Sequence, residues 1–220
     1  MSTFTEKELK TAQYLMQIKA INLNAQNPFT WASGLRSPIY CDNRRILSFP
    51  EVRNFVAQGL AEFAEEHFIE ADVIAGVATG GIAHGVLAAQ ILDKPFVYVR
   101  SSTKGHGLQN NVEGYLKENS KVLVIEDLVS TGGSSLEAVN ALQESNCTVL
   151  GMLAVFTYGL KKAEDNFRNA DCKLYTLSNY NALLEQATEE GLISDDELVV
   201  LNDWNKNPQE WSNKYLSQNS

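Results

Sequence analysis

The sequence predicts an α/β fold in which a parallel β-sheet core is flanked by helices. Several short runs of Val, Ile and Leu do not alternate with polar residues, which is typical of strands buried on both faces. Segments with helical patterning separate these runs, and this rhythm indicates parallel strand pairing. Two of the runs lead into loops rich in glycine and hydroxyl side chains. Because ligands bind beyond the carboxyl ends of parallel strands, we expect a site at this edge of the sheet.

The composition is that of a folded protein with one domain. The chain has 220 residues, of which 44% are hydrophobic and 20% are charged. This length favours one domain with extensions over two equal domains. We therefore expect a single domain over residues 1–220, divided into an N-terminal segment (1–70), an α/β core (71–180) and an acidic, helical C-terminal appendage (181–220).

Charge and apolar patterning restrict the partners. The formal net charge is −9, and residues 183–220 contain eight acids and two bases. This charge argues against general affinity for nucleic acid. No apolar run suits a leader or a membrane span, so we expect a cytoplasmic protein that binds no membrane. Cys41, Cys147 and Cys172 are odd in number and lack CxxC spacing, which argues against a disulfide framework or a zinc site.

The N-terminal third begins with a predicted amphipathic helix. Thr5 followed by Glu8 has the spacing of a capping box, and apolar residues then recur every three or four positions. The next stretch, "NPFTWASGLRSPIYCDNRR", is rich in Pro, Gly, Ser and aromatic residues and predicts irregular or short-stranded structure. A second helix is expected from Phe49 and Pro50 to about His67.

The core then alternates strands with helices. Predicted strands cover 72–77, 96–99, 122–125, 148–156 and 174–177, and predicted helices cover 80–92 and 134–144. The acidic end of the chain, with "GLISDDELVVLNDW", predicts a terminal helical appendage.

The stretch "VLVIEDLVSTGGSS", residues 122–135, carries the strongest chemical signal. A glycine pair after a strand lets the backbone approach a ligand, and the start of the next helix presents N–H groups to an anion. Four hydroxyl side chains add donors, which suits a phosphate monoester. The GK[ST] of a Walker loop and the GxGxxG of a dinucleotide site are both absent.

The acid pair Glu126–Asp127 argues against a simple phosphate site, because carboxylates repel a phosphate. A sugar phosphate with a vicinal diol satisfies both demands, since the acids then contact hydroxyl groups or a metal ion. The alternative is that the pair only ends a strand and caps a helix. The coincidence of apolar run, acids and hydroxyl–glycine loop favours the ligand site.

This stretch resembles the phosphoribosyl-pyrophosphate (PRPP) signature of type I phosphoribosyltransferases. The resemblance implies their fold, a parallel-sheet core flanked by helices with a small N-terminal hood and a C-terminal helical appendage. It places Glu126 and Asp127 at the ribose hydroxyls. It also implies that the following loop holds the 5-phosphate, through Leu128, Val129, Ser130, Thr131, Gly132, Gly133 and Ser134.

Two further stretches narrow the resemblance. "FTWASGLRSPIYCDNR", residues 29–44, resembles the base-binding segment of orotate phosphoribosyltransferases, and "YVRSSTKGHG", residues 98–107, resembles their catalytic loop. Order and spacing match over at least residues 25–160, most closely in the Bacillus-like bacterial branch. The implied reaction converts orotate and PRPP to orotidine 5'-monophosphate and pyrophosphate in pyrimidine synthesis. A purine or uracil transferase is the alternative, as is a PRPP-binding regulator without turnover, although the sequence has no basic helix-turn-helix.

Two loops are candidates for the pyrophosphate. Arg100, Lys104 and His106 place three cationic donors within seven glycine-flanked residues, which suits closure over an anion better than a solvated basic turn. By resemblance they reach the PRPP bound to the neighbouring subunit of a homodimer, with Lys104, His106 and Asp127 as catalytic residues. A second glycine-rich loop matches the family's pyrophosphate loop, at Ala78, Thr79, Gly80 and Gly81.

Tyr40 and Ser130 are the residues that the resemblance assigns to the pyrimidine. In one branch of the family, a lysine near PRPP stands at the position of Ala32. An arginine that pairs with the orotate carboxylate stands near the position of Tyr158 in that branch. Arg44 is our candidate for that arginine, and an ordinary surface arginine is the alternative. His84 is expected to be packed in the core. Mg²⁺ is expected to arrive with PRPP, because the sequence offers no carboxylate cage and Mg²⁺ commonly binds through substrate oxygens.

Overall fold

A computed structural model describes residues 3–100 and 111–218. The chain begins with helix α1 (Glu6–Gln17), capped as predicted. The Thr5 hydroxyl accepts a hydrogen bond from the Glu8 N–H, and the Glu8 carboxylate accepts one from the Thr5 N–H. The apolar stripe of this helix buries Ala12 and Leu15, so the amphipathic pattern is used for packing.

The aromatic segment folds into short antiparallel pairs, as its composition predicts. Strand β1 (Ile21–Leu23) pairs with β4 (Ile39–Cys41), and β2 (Phe29–Thr30) pairs with β3 (Arg36–Ser37). A 3₁₀ turn (Asn43–Ser48) leads into helix α2 (Pro50–His67). Proline at the first helical position favours this start. A backbone N–H at that position has no hydrogen-bond partner within the helix, so proline loses nothing by lacking one.

Within the residues that the structure describes, the central sheet has six strands, in the order β10-β9-β8-β5-β6-β7. Their bounds are β5 (Val73–Val77), β6 (Phe96–Val99), β7 (Val112–Glu113), β8 (Lys121–Val129), β9 (Thr148–Thr157) and β10 (Leu174–Asn179). Five of them are parallel, as predicted. The two-residue strand β7 instead runs antiparallel to β6, so the sheet is mixed. A strand of two residues has no periodicity that the sequence could reveal.

Helices cover both faces of the sheet, which confirms the expectation from the non-alternating strands. Within β8, Leu123 and Ile125 belong to the buried cluster that includes residues of α1 and α2, whereas Val122 and Val124 belong to the cluster on the opposite face. The remaining helices are α3 (Gly80–Ile91), α4 (Gly133–Glu144), α5 (Lys161–Asn169), α6 (Tyr180–Glu189), α7 (Asp195–Lys206) and α8 (Pro208–Gln218).

One predicted bound was wrong, and one helix was missed. Strand β8 continues four residues beyond Ile125 and therefore contains the acid pair. Helix α5 was not predicted, because only Ala163 and Phe167 of its residues are buried. The C-terminal segment is helical as expected, and it reaches the main core through Leu201 and Trp204, both fully buried. None of the helices in the described part of the chain is long and apolar enough to cross a membrane.

Candidate active site

The two glycine-rich loops meet at the carboxyl edge of the sheet. Strands β5 and β8 are neighbours, with Gly76 opposite Ile125, so the loops that follow them lie side by side. A methyl group at Gly80 would overlap the Asp127 carboxylate, and one at Gly81 would overlap the Ile125 carbonyl oxygen. The structure thus brings the predicted pyrophosphate loop into contact with the predicted ribose acid.

The two acids of the pair lie in different environments. Glu126 is only 5% exposed, and its carboxyl oxygens accept hydrogen bonds from the Ser135 hydroxyl and the Asp127 N–H, both at 3.0 Å. Burial, reinforced by the neighbouring Asp127 charge, raises the pKa of Glu126 to about 9. This direction favours the protonated form of Glu126 at neutral pH. A protonated Glu126 would repel a phosphate ligand less than a second carboxylate would.

Asp127 is partly exposed and linked to the N-terminal segment. Its carbonyl oxygen accepts a hydrogen bond of 2.6 Å from the side-chain amide of Asn43, which is fully buried. The Asn43 amide oxygen in turn accepts one from the Cys41 thiol at 3.2 Å. Asn43 was not singled out from the sequence, where nothing marks a buried asparagine. It ties the segment of residues 29–44 to the acid pair.

The loop from Ser130 to the start of α4 has the backbone that a phosphate site requires. Gly132 has a φ of +79°, a conformation that favours glycine, and a side chain there would come within 2.6 Å of the Phe167 ring. The Thr131 carbonyl oxygen accepts a hydrogen bond of 2.9 Å from the Asn166 amide. Since α4 begins at Gly133, its free N–H groups and dipole are available to an anion.

A small cavity of about 180 Å³ lies beside this loop. Tyr40 and Ser130 both line it, and Tyr40 is 41% exposed. Trp31 also lines it and stacks on Tyr158, with ring centroids 5.4 Å apart. Trp31 was missed, although it lies within the quoted aromatic segment. Among the described residues, the lining consists of Trp31, Ala32, Tyr40, Cys41, Leu128, Ser130 and Tyr158.

Arg44 lies at the surface, whereas His84 lies in the interior. The Arg44 side chain is 63% exposed and bound to Asp42 through Nε–Oδ1 at 2.6 Å and Nη2–Oδ2 at 3.0 Å. It does not line the cavity. His84 is packed in the interior as expected, and its burial lowers its pKa.

Of the predicted cationic loop, only Arg100 lies within the described residues. It follows β6, and its guanidinium forms an ion pair of 3.0 Å with Glu113 of β7. Its backbone N–H donates to the Asn111 carbonyl at 2.8 Å. Lys104 and His106 lie outside the described residues.

The oxygen ligands at this edge fit a magnesium ion that is held mainly by a substrate. Among the residues that the structure describes, no three His, Cys, Asp or Glu side chains cluster as a metal cage would require. Asp127 offers a carboxylate, whereas Glu126 is buried and already hydrogen-bonded. Mg²⁺ commonly binds through one or two carboxylates together with phosphate oxygens and water.

The sequence of the chain is similar to those of known proteins. The phosphoribosyl transferase domain family matches residues 50–182. The chain is 54% identical over 200 residues to the orotate phosphoribosyltransferase of Porphyromonas gingivalis, covering 91% of this chain and 95% of that protein. It is 53% identical over 205 residues to that of Bacillus subtilis, covering 92% and 95%.

A solved structure agrees with these relatives. The crystal structure of orotate phosphoribosyltransferase from Aeropyrum pernix superposes with a TM-score of 0.73 at 28% identity, covering 83% of this chain and 99% of that one. The resemblance drawn from three short stretches thus extends along nearly the whole length of both chains. By sequence, fold and order of motifs, this chain belongs to the orotate phosphoribosyltransferase family of type I phosphoribosyltransferases.

Proposed function

We propose that the chain transfers the 5-phosphoribosyl group of PRPP to orotate, giving orotidine 5'-monophosphate and pyrophosphate in cytoplasmic pyrimidine synthesis. One observation carries this proposal: Ser130 belongs both to the phosphate loop and to the lining of the aromatic cavity. A ligand with a phosphate at one end and a flat ring at the other fits such a continuous site. The relatives named above supply the identity of the ring as orotate.

The proposed reaction separates charge between the ribose ring and the leaving pyrophosphate. As the bond from ribose C1 to pyrophosphate breaks, the leaving group takes the electron pair and the ribose ring becomes positive. A base nitrogen bonds to C1 and gives up its proton, which the released pyrophosphate accepts. The Asp127 carboxylate is suited to a ribose hydroxyl and to this positive charge. Protonated Glu126 adds a hydrogen-bonding group without adding charge. Lys104, His106 and Arg100 are proposed to neutralise the pyrophosphate, assisted by the backbone N–H groups of residues 78–81.

Mg²⁺ is proposed to accompany PRPP. When bound, the ion neutralises pyrophosphate charge. The chain contributes Asp127 and the two glycine-rich loops, which position the substrate oxygens.

Substrate choice tests the function directly. Purified protein is incubated with PRPP and Mg²⁺, and orotate, uracil, adenine and hypoxanthine are supplied separately. We expect orotate to be consumed fastest, with release of one pyrophosphate per nucleotide formed. Faster consumption of another base would support a different transferase, and PRPP binding without any consumption would support a regulator.

A shared site is proposed for a homodimer, in which the loop with Lys104 serves the partner's PRPP. Lys104→Ala should lower kcat by about 10²-fold, the scale for loss of one preorganised donor. When it is mixed with inactive Asp127→Asn, a hybrid dimer has one site with both defects and one with neither. Activity should then return to about half of the wild-type value per hybrid dimer. No recovery, with subunit exchange verified by mass spectrometry, would contradict the shared site.

A further inference from the structure

The aromatic cavity has a second layer behind it, contributed by the C-terminal helices. Trp204 of α7 is fully buried and packs edge-on against two rings. Its centroid lies 5.8 Å from that of Trp31 at 78°, and 5.7 Å from that of Tyr158 at 82°. Trp31 and Tyr158 form one wall of the cavity and stack on each other. Edge-to-face packing has a preferred geometry, so Trp204 restricts the position of both rings.

Two hydrogen bonds attach the same wall to the C-terminal helices. The side-chain amide of Asn205 donates to the Tyr158 carbonyl oxygen at 2.7 Å. The Ser212 hydroxyl of α8 accepts from the Arg36 N–H at 2.9 Å. Arg36 lies in the β2–β3 hairpin that carries Trp31, and Ser212 is 1% exposed. Each side of the wall is therefore held by its own helix.

Packing, rather than a hydrogen bond, determines the position of the Trp204 indole. Its Nε1 has no hydrogen-bond partner within the described ranges 3–100 and 111–218. Helix α7 is fixed behind the indole by the Tyr180 hydroxyl, which donates to the Leu201 carbonyl oxygen at 3.0 Å. The position of the wall thus depends on how α7 docks.

The phosphate loop has separate support. Its Thr131 carbonyl oxygen is held by Asn166 of α5, on the opposite face of the sheet. Asn166 and Asn205 make the same kind of bond, a side-chain amide to a loop carbonyl oxygen, for two different parts of the site. Substitutions of these two asparagines can therefore be compared directly.

We propose that α7 and α8 are positioning elements for the pyrimidine base, which act through the Trp31–Tyr158 wall and leave PRPP binding unchanged. This inference rests on the proposed function, since it assigns that cavity to the base. The acidic C-terminal segment thereby gains a role in substrate affinity, with Asn205 and Ser212 as positioning residues.

The test separates the Michaelis constants of the two substrates. Asn205→Ala and Ser212→Ala should each raise KM for orotate about fivefold, the effect of losing one hydrogen bond, with KM for PRPP within about twofold of wild type. Asn166→Ala should instead raise KM for PRPP about fivefold and leave KM for orotate within about twofold of wild type. Ser178→Ala is the control for a lost buried hydroxyl, since the Ser178 hydroxyl donates to the Glu8 carbonyl oxygen at 2.8 Å away from the cavity. It should lower Tm without changing either KM.

Trp204→Phe provides a second route if an alanine variant does not fold. It keeps a ring but shortens the edge contact, and orotate binding measured by calorimetry should weaken by several-fold. Equal shifts in both KM values, or unchanged orotate KM and affinity, would overturn the inference. A wild-type protein that does not consume orotate would instead overturn the proposed function.

Discussion

The phosphate side and the base side of the site are built in different ways. The phosphate side consists of two short continuous stretches, residues 78–81 and 126–135, whose glycines allow close backbone approach. The base side draws its lining from residues 31–41, 128–130 and 158, with Trp204 behind it. Local backbone conformation therefore forms one half, and tertiary packing of aromatic rings forms the other.

The difference matches what each half is proposed to bind. A phosphate is recognised by N–H groups and short hydroxyl side chains, which a single turn and helix start can supply. A flat ring requires walls on several sides, and these come from separate elements. Substitutions on the phosphate side should therefore act through backbone geometry, and those on the base side through packing.

The largest effect is expected from Gly80→Ala. The added methyl group must displace the Asp127 carboxylate, and a shift of about 1 Å in a reacting group can cost about 10²-fold in rate. Initial rates at saturating orotate should show this loss in kcat/KM for PRPP. Thermal unfolding should remain near wild type, because alanine is the better helix former at the start of α3. A rate within about twofold of wild type would show that the two loops do not depend on each other.

Gly132→Ala should have the next largest effect. The left-handed conformation costs a residue with a side chain about 1–2 kcal/mol, and the Phe167 ring lies where the methyl group would be. KM for PRPP should rise by about tenfold while KM for orotate changes little. Gly34→Ala is the control for stability, because Gly34 has a φ of +85° but open space around it. If both variants lose equal stability, the Phe167 contact is unimportant.

Glu126→Gln tests the buried proton. The folded protein retains this proton between about pH 4.5 and about 9, whereas the unfolded chain has lost it, so wild-type stability falls as pH rises through that window. The variant should show a flatter profile and be more stable than wild type at about pH 8, by about 1 kcal/mol or more. Urea unfolding at several pH values measures this. Glu137→Gln, at an exposed position of α4, should leave the profile unchanged.

Arg44→Ala should have the smallest effect. An exposed arginine that already pairs with Asp42 contributes at most about 1 kcal/mol to a second carboxylate, so KM for orotate should rise by no more than about fivefold. Arg45→Ala, beside it, should not alter this constant, since its Nε donates to the Ile18 carbonyl oxygen. No change in Arg44→Ala would identify an ordinary surface arginine.

The sequence predicted those parts of the fold that depend on local signals. Thr5 with Glu8, and proline at the start of α2, fix helix starts through interactions within a few residues. Helix α5 and strand β7 were missed, because α5 has only two apolar residues, Ala163 and Phe167, and β7 is only two residues long.

The acid pair shows a subtler limit. Glu126 and Asp127 are adjacent and chemically alike, and a strand that ended at Ile125 would leave both in a loop. Because β8 continues to Val129, successive side chains point to opposite faces. Glu126 is therefore buried against Ser135 of α4, and Asp127 lies beside Gly80. Their difference depends on the length of one strand, which the sequence pattern does not reveal.

The position of Trp204 near the end of the chain has a consequence for synthesis on the ribosome. Segments of a nascent chain emerge in order from the N-terminus, and a domain generally folds as a unit. The strands and loops of the phosphate half precede Trp204, so they emerge before the residue that supports the aromatic wall. Because Trp204 shares a buried cluster with Leu123 and Ile125 of β8, the central sheet and the aromatic wall should reach their final packing together, after Trp204 has emerged.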